Sequence, residues 1–259
     1  MNYIDLESVS LKYDKIKGIG FFGRNGSRIK SVEALHRITL RIREGENVAL
    51  IGENGAGKST LLRVMAGIFP PTSGKVSRSG DIFTFFGKSA GVNRELSGLD
   101  NIFLRGYFLG YDKRTIEKRF LSDIVDAIEL GDRLDLPVKT YSIGMKARLS
   151  FGLNLFARGD IFLIDEGLGA GDAVFIEKAR AIATRILSRS NIIVFASHSA
   201  PLLKKFCNLG LVLRKGRMVY FGPLAQALDI YQQGEKSENP MAMRQESSSD
   251  GPERGREKC

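Results

Sequence analysis

The densest chemical signal in the chain is the segment Gly52–Thr60, GENGAGKST. It satisfies the spacing G-x-x-x-x-G-K-[ST], and it sits between an apolar run, NVALI, and a run with helical character, so motif and context agree. Glycines at this spacing let the backbone wrap closely enough for its N–H groups, together with the N-terminus of the following helix, to face phosphate oxygens. Lys58 adds a positive charge for β and γ phosphates, and the Ser59 hydroxyl is a candidate Mg²⁺ ligand. The residues Gly52, Glu53, Asn54, Gly55, Ala56, Gly57, Lys58, Ser59 and Thr60 therefore form a candidate phosphate cradle.

Three further segments gain meaning beside that cradle. In Ile161–Glu166, IFLIDE, an apolar strand ends in two carboxylates at the edge where sheets of this kind bind ligands. Asp165 is placed to hold Mg²⁺ directly or through water, and Glu166 to orient or deprotonate an attacking water. In IIVFASHS, His198 also follows an apolar strand, where a neutral imidazole can donate to γ-phosphate oxygens. In YSIGMKARLSFGLNLF, Ser142 and Gly144 open an amphipathic helix carrying Met145, Leu149, Leu153 and Phe156. Its N-terminus is a second anion-ready end. The chain's own cradle already wraps the phosphates, so this end is expected to serve the nucleotide of another subunit.

The elements that must position these residues alternate between strand and helix patterns. YIDLESVSLKY, ending at Tyr13, and Ala34–Ile42 alternate as half-buried strands, and between them Asp14 to Glu33 forms a long loop rich in Gly, Lys and Arg with Phe21 and Phe22. A buried strand precedes the cradle and the helix Lys58–Gly67 follows it. Pro70 and Pro71 break the chain before short strands around Val76 and over Ile82–Phe86. From Ser97 to Leu130 the apolar positions Ile102, Leu109, Ile116, Phe120, Ile124 and Ile128 read as a helical lobe. The alternation then resumes with IFLID, a helix over Ala173–Leu187, IIVFA, a short helix from Pro201 to Phe206 and a strand pair from Leu211 to Phe221. Such alternation implies a mainly parallel sheet covered on both faces. From about Gly234 the chain is poor in apolar residues, which predicts an α/β domain over 1–234, with the helical lobe over about 97–157, and a disordered tail over 235–259.

Composition narrows the function classes. With 259 residues and 43% hydrophobic content the chain can bury a full core. No stretch reaches the roughly 18 to 20 apolar residues of a membrane helix, and MNYIDLESVS lacks the regions of a signal peptide, so a soluble cytoplasmic protein is expected. The two cysteines, Cys207 and Cys259, suggest neither a disulfide framework nor a thiol-held metal. A net charge of +10 favours anionic partners. Nucleic acid is not among those expected, because no basic run of five and no aromatic platform interleaved with cations is present.

Taken together, the cradle, YSIGM, IFLIDE, GAGD and ASHS resemble the nucleotide-binding subunits of ABC transporters over about Met1–Gln233. The strings TYSIGMKARLSFGL, FLIDEGLGAGDAVFIEKA and NRELSGLDNIFLRGYFLG look like the ATPases that export O-antigen, capsular polysaccharide or teichoic acid. The resemblance implies an α/β P-loop NTPase fold of the ABC ATPase type, with a mainly parallel core sheet, an antiparallel β subdomain and a helical subdomain. It further implies ATP and Mg²⁺ as ligands and a head-to-tail homodimer that sandwiches two ATPs. By this likeness Tyr13 stacks on adenine, Ser142, Gly144 and Met145 meet the partner's nucleotide, and Asp172 links the two sites. Closure on ATP would then move a multi-span membrane permease, held through the helical lobe and the loop before it, with the ATPase peripheral on the cytoplasmic side of the inner membrane.

Three departures from the family pattern stand out. Ile143 occupies a signature position where a small residue is usual, and Lys88 stands near the place of the usual loop Gln, so no metal contact is assigned there. The sequence also holds no large sugar-binding domain of the kind some exporters carry, so the polysaccharide is expected to be contacted indirectly, through the permease. Two other readings share the motifs: an ABC subunit for lipid or drug export, and a soluble ABC ATPase acting on ribosomes or DNA. The second usually needs paired cassettes or a long coiled coil, and neither is seen.

Overall fold

The structure, a computed structural model, describes residues 1–14, 31–86, 91–165, 173–197 and 199–238. In chain order the first elements are β1 (Tyr3–Asp14), β2 (Ser31–Arg43), β3 (Asn47–Ile51), α1 (Lys58–Met65), β4 (Ser73–Ser79) and β5 (Ile82–Phe86). The middle of the chain is helical, with α2 (Gly98–Phe108), α3 (Lys113–Ile116), α4 (Ser122–Ile128) and α5 (Ile143–Leu153). Strand–helix alternation returns in β6 (Ile161–Asp165), α6 (Ala173–Leu187), β7 (Ile192–Ala196), α7 (Ala200–Phe206), β8 (Leu209–Arg214), β9 (Arg217–Pro223) and α8 (Leu224–Glu238).

The strands form two sheets. A six-stranded sheet in the order β5-β6-β7-β3-β8-β9 is parallel except for the antiparallel hairpin β8–β9. A three-stranded antiparallel sheet, β2-β1-β4, packs against one face of it. The period-2 alternation of strand side chains explains why β3, β6 and β7 read as unbroken apolar runs. Val48, Leu50, Leu163 and Val194 point to the face shared with Ile4, Leu6, Ile38, Leu61 and Met65. Ala49, Ile51, Phe162, Ile164, Ile193 and Phe195 point to the opposite face, which α6, α7 and α8 cover with residues such as Phe175, Leu203 and Ala227. With both faces covered, the central strands β3, β6 and β7 are buried along their length, and the polar side chains they carry, such as Asn47 and Asp165, stand at their ends.

The helical middle builds its own core from Ile102, Ile116, Phe120, Ile124, Ile128, Leu149, Leu153 and Phe156. Ser97 and Asp100 form a reciprocal capping box at the start of α2. Asn101, 1% exposed, is satisfied by bonds to Asn93 and Ser97 that tie the preceding loop to this helix. Ile116, Phe120, Ile124 and Ile128 recur every fourth residue, a spacing that drifts off one face of a helix with ~3.6 residues per turn. Between α3 and α4 the chain absorbs the drift in a turn of π-helix, Glu117–Leu121, which keeps all four side chains inward.

One expectation from composition is corrected. The break placed at Gly234 falls inside α8, which continues to Glu238; residues 239–259 lie outside the described ones. Its Leu224 and Ala227 are buried against the core sheet, with Leu228 and Tyr231 packed beside them, and this anchorage carries the polar last turn past the composition break.

Two outcomes follow from this packing. Phe156 is 1% exposed and packs on Phe120 with ring centroids 4.7 Å apart, so Phe156→Ala should cost about 3–5 kcal/mol in urea unfolding. Burial pushes the Cys207 thiol up to about 12, so in a Cys259→Ser background the native protein should resist a thiol reagent at pH 8 and react only on unfolding.

Candidate nucleotide-binding site

The loop between β3 and α1 is shaped by its neighbours. Gly57 has φ +104° and lies so close to β2 that a Cβ there would sit 2.9 Å from the Ala34 carbonyl oxygen, so only glycine fits. The same residue caps α1 with no side-chain hydrogen bond, and the first turn of α1 carries no acidic residue. The helix N-terminus therefore faces the loop with N–H groups that no capping side chain occupies. The Lys58 ammonium donates to the carbonyls of Gly52 (2.5 Å) and Glu53 (3.0 Å), which holds it against the beginning of the loop.

An open cleft of about 770 Å³ lies over this loop. Glu53, Asn54, Gly55, Gly57, Lys58, Ser59 and Thr60 line its floor, Asp165 lines it from the end of β6, and Tyr13 from β1. These residues come from three distant stretches of the chain. Asp165 is in register with Ala196 of β7 and Phe86 of β5, so its carboxylate belongs to the loop edge of the sheet. Tyr13 is anchored by a hydrogen bond shared with the Thr60 hydroxyl (3.2 Å) and by edge-on packing against Phe69 (6.0 Å), yet its side chain remains partly open. A phenol ring held this way at the rim presents an aromatic surface to whatever fills the cleft. Gly52 and Ala56 do not line the cleft; Gly52 serves through its carbonyl, and Ala56 is buried in the core.

A metal would find hard oxygen donors here. Ser59 and Asp165 share the cleft, which suits Mg²⁺ chemistry, with the remaining positions left to phosphate oxygens and water. Among the described residues no group of three or more His, Cys, Asp or Glu forms an all-protein metal cage.

The second anion-ready helix end lies elsewhere. The Ser142 hydroxyl accepts from the Met145 N–H (3.2 Å) and caps α5, while Ile143 is 88% exposed. A Cβ on Gly144 would meet only the Ser142 hydroxyl, at 3.9 Å. Ser142, Gly144 and Met145 do not line the cleft, so the α5 terminus takes no part in its own chain's cradle. Behind it, Arg148 of α5 and Lys178 of α6 both donate to Glu129 at the end of α4, and these two cations hold its carboxyl below the usual carboxylate range. Phe151 packs edge-on against Phe175 (5.6 Å), so the lobe and the helix after β6 are joined by charge and by aromatic contact. Glu166, Asp172, His198 and Lys88 lie outside the described residues.

Several lining residues carry no motif. Val32, Glu33, Ala34 and His36 come from β2, Arg63 from α1, and Lys215 and Gly216 from the turn between β8 and β9. His36 pairs with Glu33 at 3.3 Å. Nothing in their local sequence marks them, because what brings them to the cleft is the docking of the antiparallel sheet on the core sheet.

Comparison with known proteins agrees with this geometry. The family described as ABC transporter matches residues 35–169, which run from within β2 through both carboxylates at the end of β6. The O-antigen export system ATP-binding protein RfbE of Yersinia enterocolitica is 45% identical over 189 residues, covering 73% of this chain and 79% of that protein. The teichoic acids export ATP-binding protein TagH of Bacillus anthracis is 35% identical over 251 residues, 94% of this chain; the chain spans 45% of that relative's length. The Staphylococcus epidermidis protein of the same name is 34% identical, with 78% of this chain and 76% of that protein covered. A solved structure of an ATP binding subunit of an ABC transporter superposes with TM-score 0.68 at 21% identity, covering 90% of this chain and 93% of its own. The dimeric ATP-binding cassette MJ0796, bound to ADP and Pi, superposes with TM-score 0.67 at 21% identity over 85% of this chain and 98% of its own, a likeness of fold. The phosphate cradle, the Asp165 strand end and the capped α5 thus lie on a scaffold whose sequence relatives are export ATPases, and the chain belongs to the ABC transporter family.

Proposed function

We propose that this chain is the ATP-hydrolysing subunit of an exporter that moves a cell-surface polysaccharide, of O-antigen, capsule or teichoic-acid type, through a separate membrane permease. The observation that carries the reading is the single cleft in which the Lys58 loop, Ser59, Asp165 and Tyr13 converge. The export systems named in the most similar relatives supply the substrate class. Among the described residues no helix is long and apolar enough to cross a membrane, which accords with a peripheral subunit acting on the cytoplasmic side of the inner membrane through a partner.

In this reading the nucleotide enters with its base against Tyr13 and its phosphates on Gly55–Thr60. Lys58 and the α1 N-terminus neutralise the β and γ phosphates. Ser59 and Asp165 hold Mg²⁺, which when bound screens the phosphate charge and fixes the phosphate geometry. Glu166, next along the chain from Asp165, orients the attacking water and takes its proton, and His198 donates to the γ-phosphate oxygens. Phosphoryl transfer asks mainly for positioning, so these roles need no covalent intermediate.

The nucleotide of one chain is completed by Ser142 and Gly144 of a second copy, and Asp172 joins the two sites. Support comes from the exposed α5 terminus, which has the N–H groups of an anion site but does not line the cleft of its own chain. Two copies sandwich two ATPs, and hydrolysis releases them. The polysaccharide itself meets the permease.

Three measurements test this. Lys58→Ala should abolish binding of a fluorescent ATP analogue while circular dichroism stays unchanged. Glu166→Gln should lower ATPase activity by at least about a hundredfold and yield a dimer in sedimentation velocity with Mg-ATP; a monomer with normal turnover contradicts the assignment. Gly144→Asp places a carboxylate in open space, so the fold and single-chain nucleotide binding should survive while the ATP-dependent dimer is lost.

A further inference from the structure

Lys215 and Gly216 form a two-residue connection in which Arg214 of β8 pairs with Arg217 of β9. Both residues have positive φ, 46° and 76°. Turns of this kind favour Asn or Asp followed by Gly, because a short polar side chain tolerates the left-handed region and a long aliphatic stem gains nothing there. Lys215 thus occupies a position where asparagine would fold more comfortably. Strain of this sort, retained beside a cleft, points to function.

The turn is also fixed in place. The Gly216 N–H donates to the Ala56 carbonyl of the cradle (2.9 Å), and its own carbonyl accepts from the His36 N–H of β2 (2.8 Å). A Cβ at Gly216 would lie 2.5 Å from the Ala34 carbonyl oxygen, so the turn abuts β2 as closely as backbone allows. Gly216 is buried by this contact, and Lys215 is left exposed on the cleft wall beside Lys58 and Ser59. Among the described residues no carboxylate pairs with Lys215. An ammonium brought to a phosphate cleft by a rigid strut, and given no counter-ion there, has its natural partner in a phosphate chain.

We infer that Lys215 is a further nucleotide-binding residue, a second cation that lines the cleft with Lys58 and contacts the phosphate chain of the bound nucleotide. This rests on the reading of the cleft as the nucleotide site. The contact adds to binding without entering the chemistry, so it holds the bound ground state and the transition state alike, lowering KM and leaving kcat as it was.

The experiment compares the full-length parent with Lys215→Asn, Lys215→Arg and Lys58→Ala, using a fluorescent ATP analogue and competition by ATP and adenosine. Asparagine relaxes the turn, so Lys215→Asn should melt no lower than the parent. It should bind ATP roughly three- to tenfold more weakly, the size expected of one partly exposed charge contact. KM should rise by a similar factor with kcat within about twofold, and the loss should shrink as salt rises. Competition by adenosine, which lacks phosphates, should be unchanged, and Lys215→Arg should bind as the parent does. If Lys215→Asn keeps parental ATP affinity while Lys58→Ala loses it, Lys215 is a turn residue only and the inference falls. A parent that binds no nucleotide overturns the nucleotide reading and this inference together.

Discussion

The loop Gly52–Thr60 carries glycines at positive φ, with Gly52 and Gly57 packed closely on their neighbours, a backbone shape that the elements around it must hold in place. The loop begins at the end of β3, a central strand of the core sheet, so its first residue is placed by a buried, doubly paired strand. Its far end is the first turn of α1, whose Leu61, Leu62, Val64 and Met65 are buried under the same sheet. Between these anchors the loop is braced sideways by β2 and by the β8–β9 turn through Ala34, His36 and Gly216. The antiparallel sheet therefore does more than cover the core: it sets the shape of the loop and contributes Tyr13 to the cleft rim.

The helical lobe obeys a different requirement. Its own core of aliphatic and aromatic side chains makes it self-consistent, and Ala127 and Phe151 also enter the buried cluster that α6 and the core sheet share, with Leu155 packed against it. Glu129 receives Arg148 from α5 and Lys178 from α6, Phe151 meets Phe175, and the Arg148 guanidinium lies over the Phe175 ring. Water screens the ion pairs, so the buried packing carries more of this joint than the charges do. The joint couples the helix capped by Ser142 to the helix that follows the Asp165 strand.

Much of this was legible in one dimension. The cradle was readable because its glycines and lysine answer a local demand at fixed spacing. The strands Asn47–Ile51, Ile161–Asp165 and Ile192–Ala196 were readable because burial on both faces leaves an unbroken apolar run. The Ser142 cap was readable because capping is a contact across three residues. Helix α8 was missed, since its polar last turn reads as a tail until its Leu224 and Ala227 are seen packed on the sheet. The π-turn at Glu117–Leu121 was hidden in the four-residue spacing itself, which reads as an ordinary helix unless the drift is followed.

The order of the strands and the identity of the cleft walls were not legible, and the reason is physical. A motif records interactions among near neighbours, whereas Tyr13, His36, Asp165 and Lys215 meet only because two sheets and a hairpin dock at long range. The local sequences of His36 and Lys215 satisfy strand and turn demands and carry no mark of the nucleotide. The amino-acid order alone determined the elements, the phosphate loop and the carboxylate at the strand end, all properties of short range. The tertiary structure alone decided that the Ser142 helix end lies outside the cleft of its own chain and that Gly216 braces the loop, because those outcomes depend on which buried faces pack together.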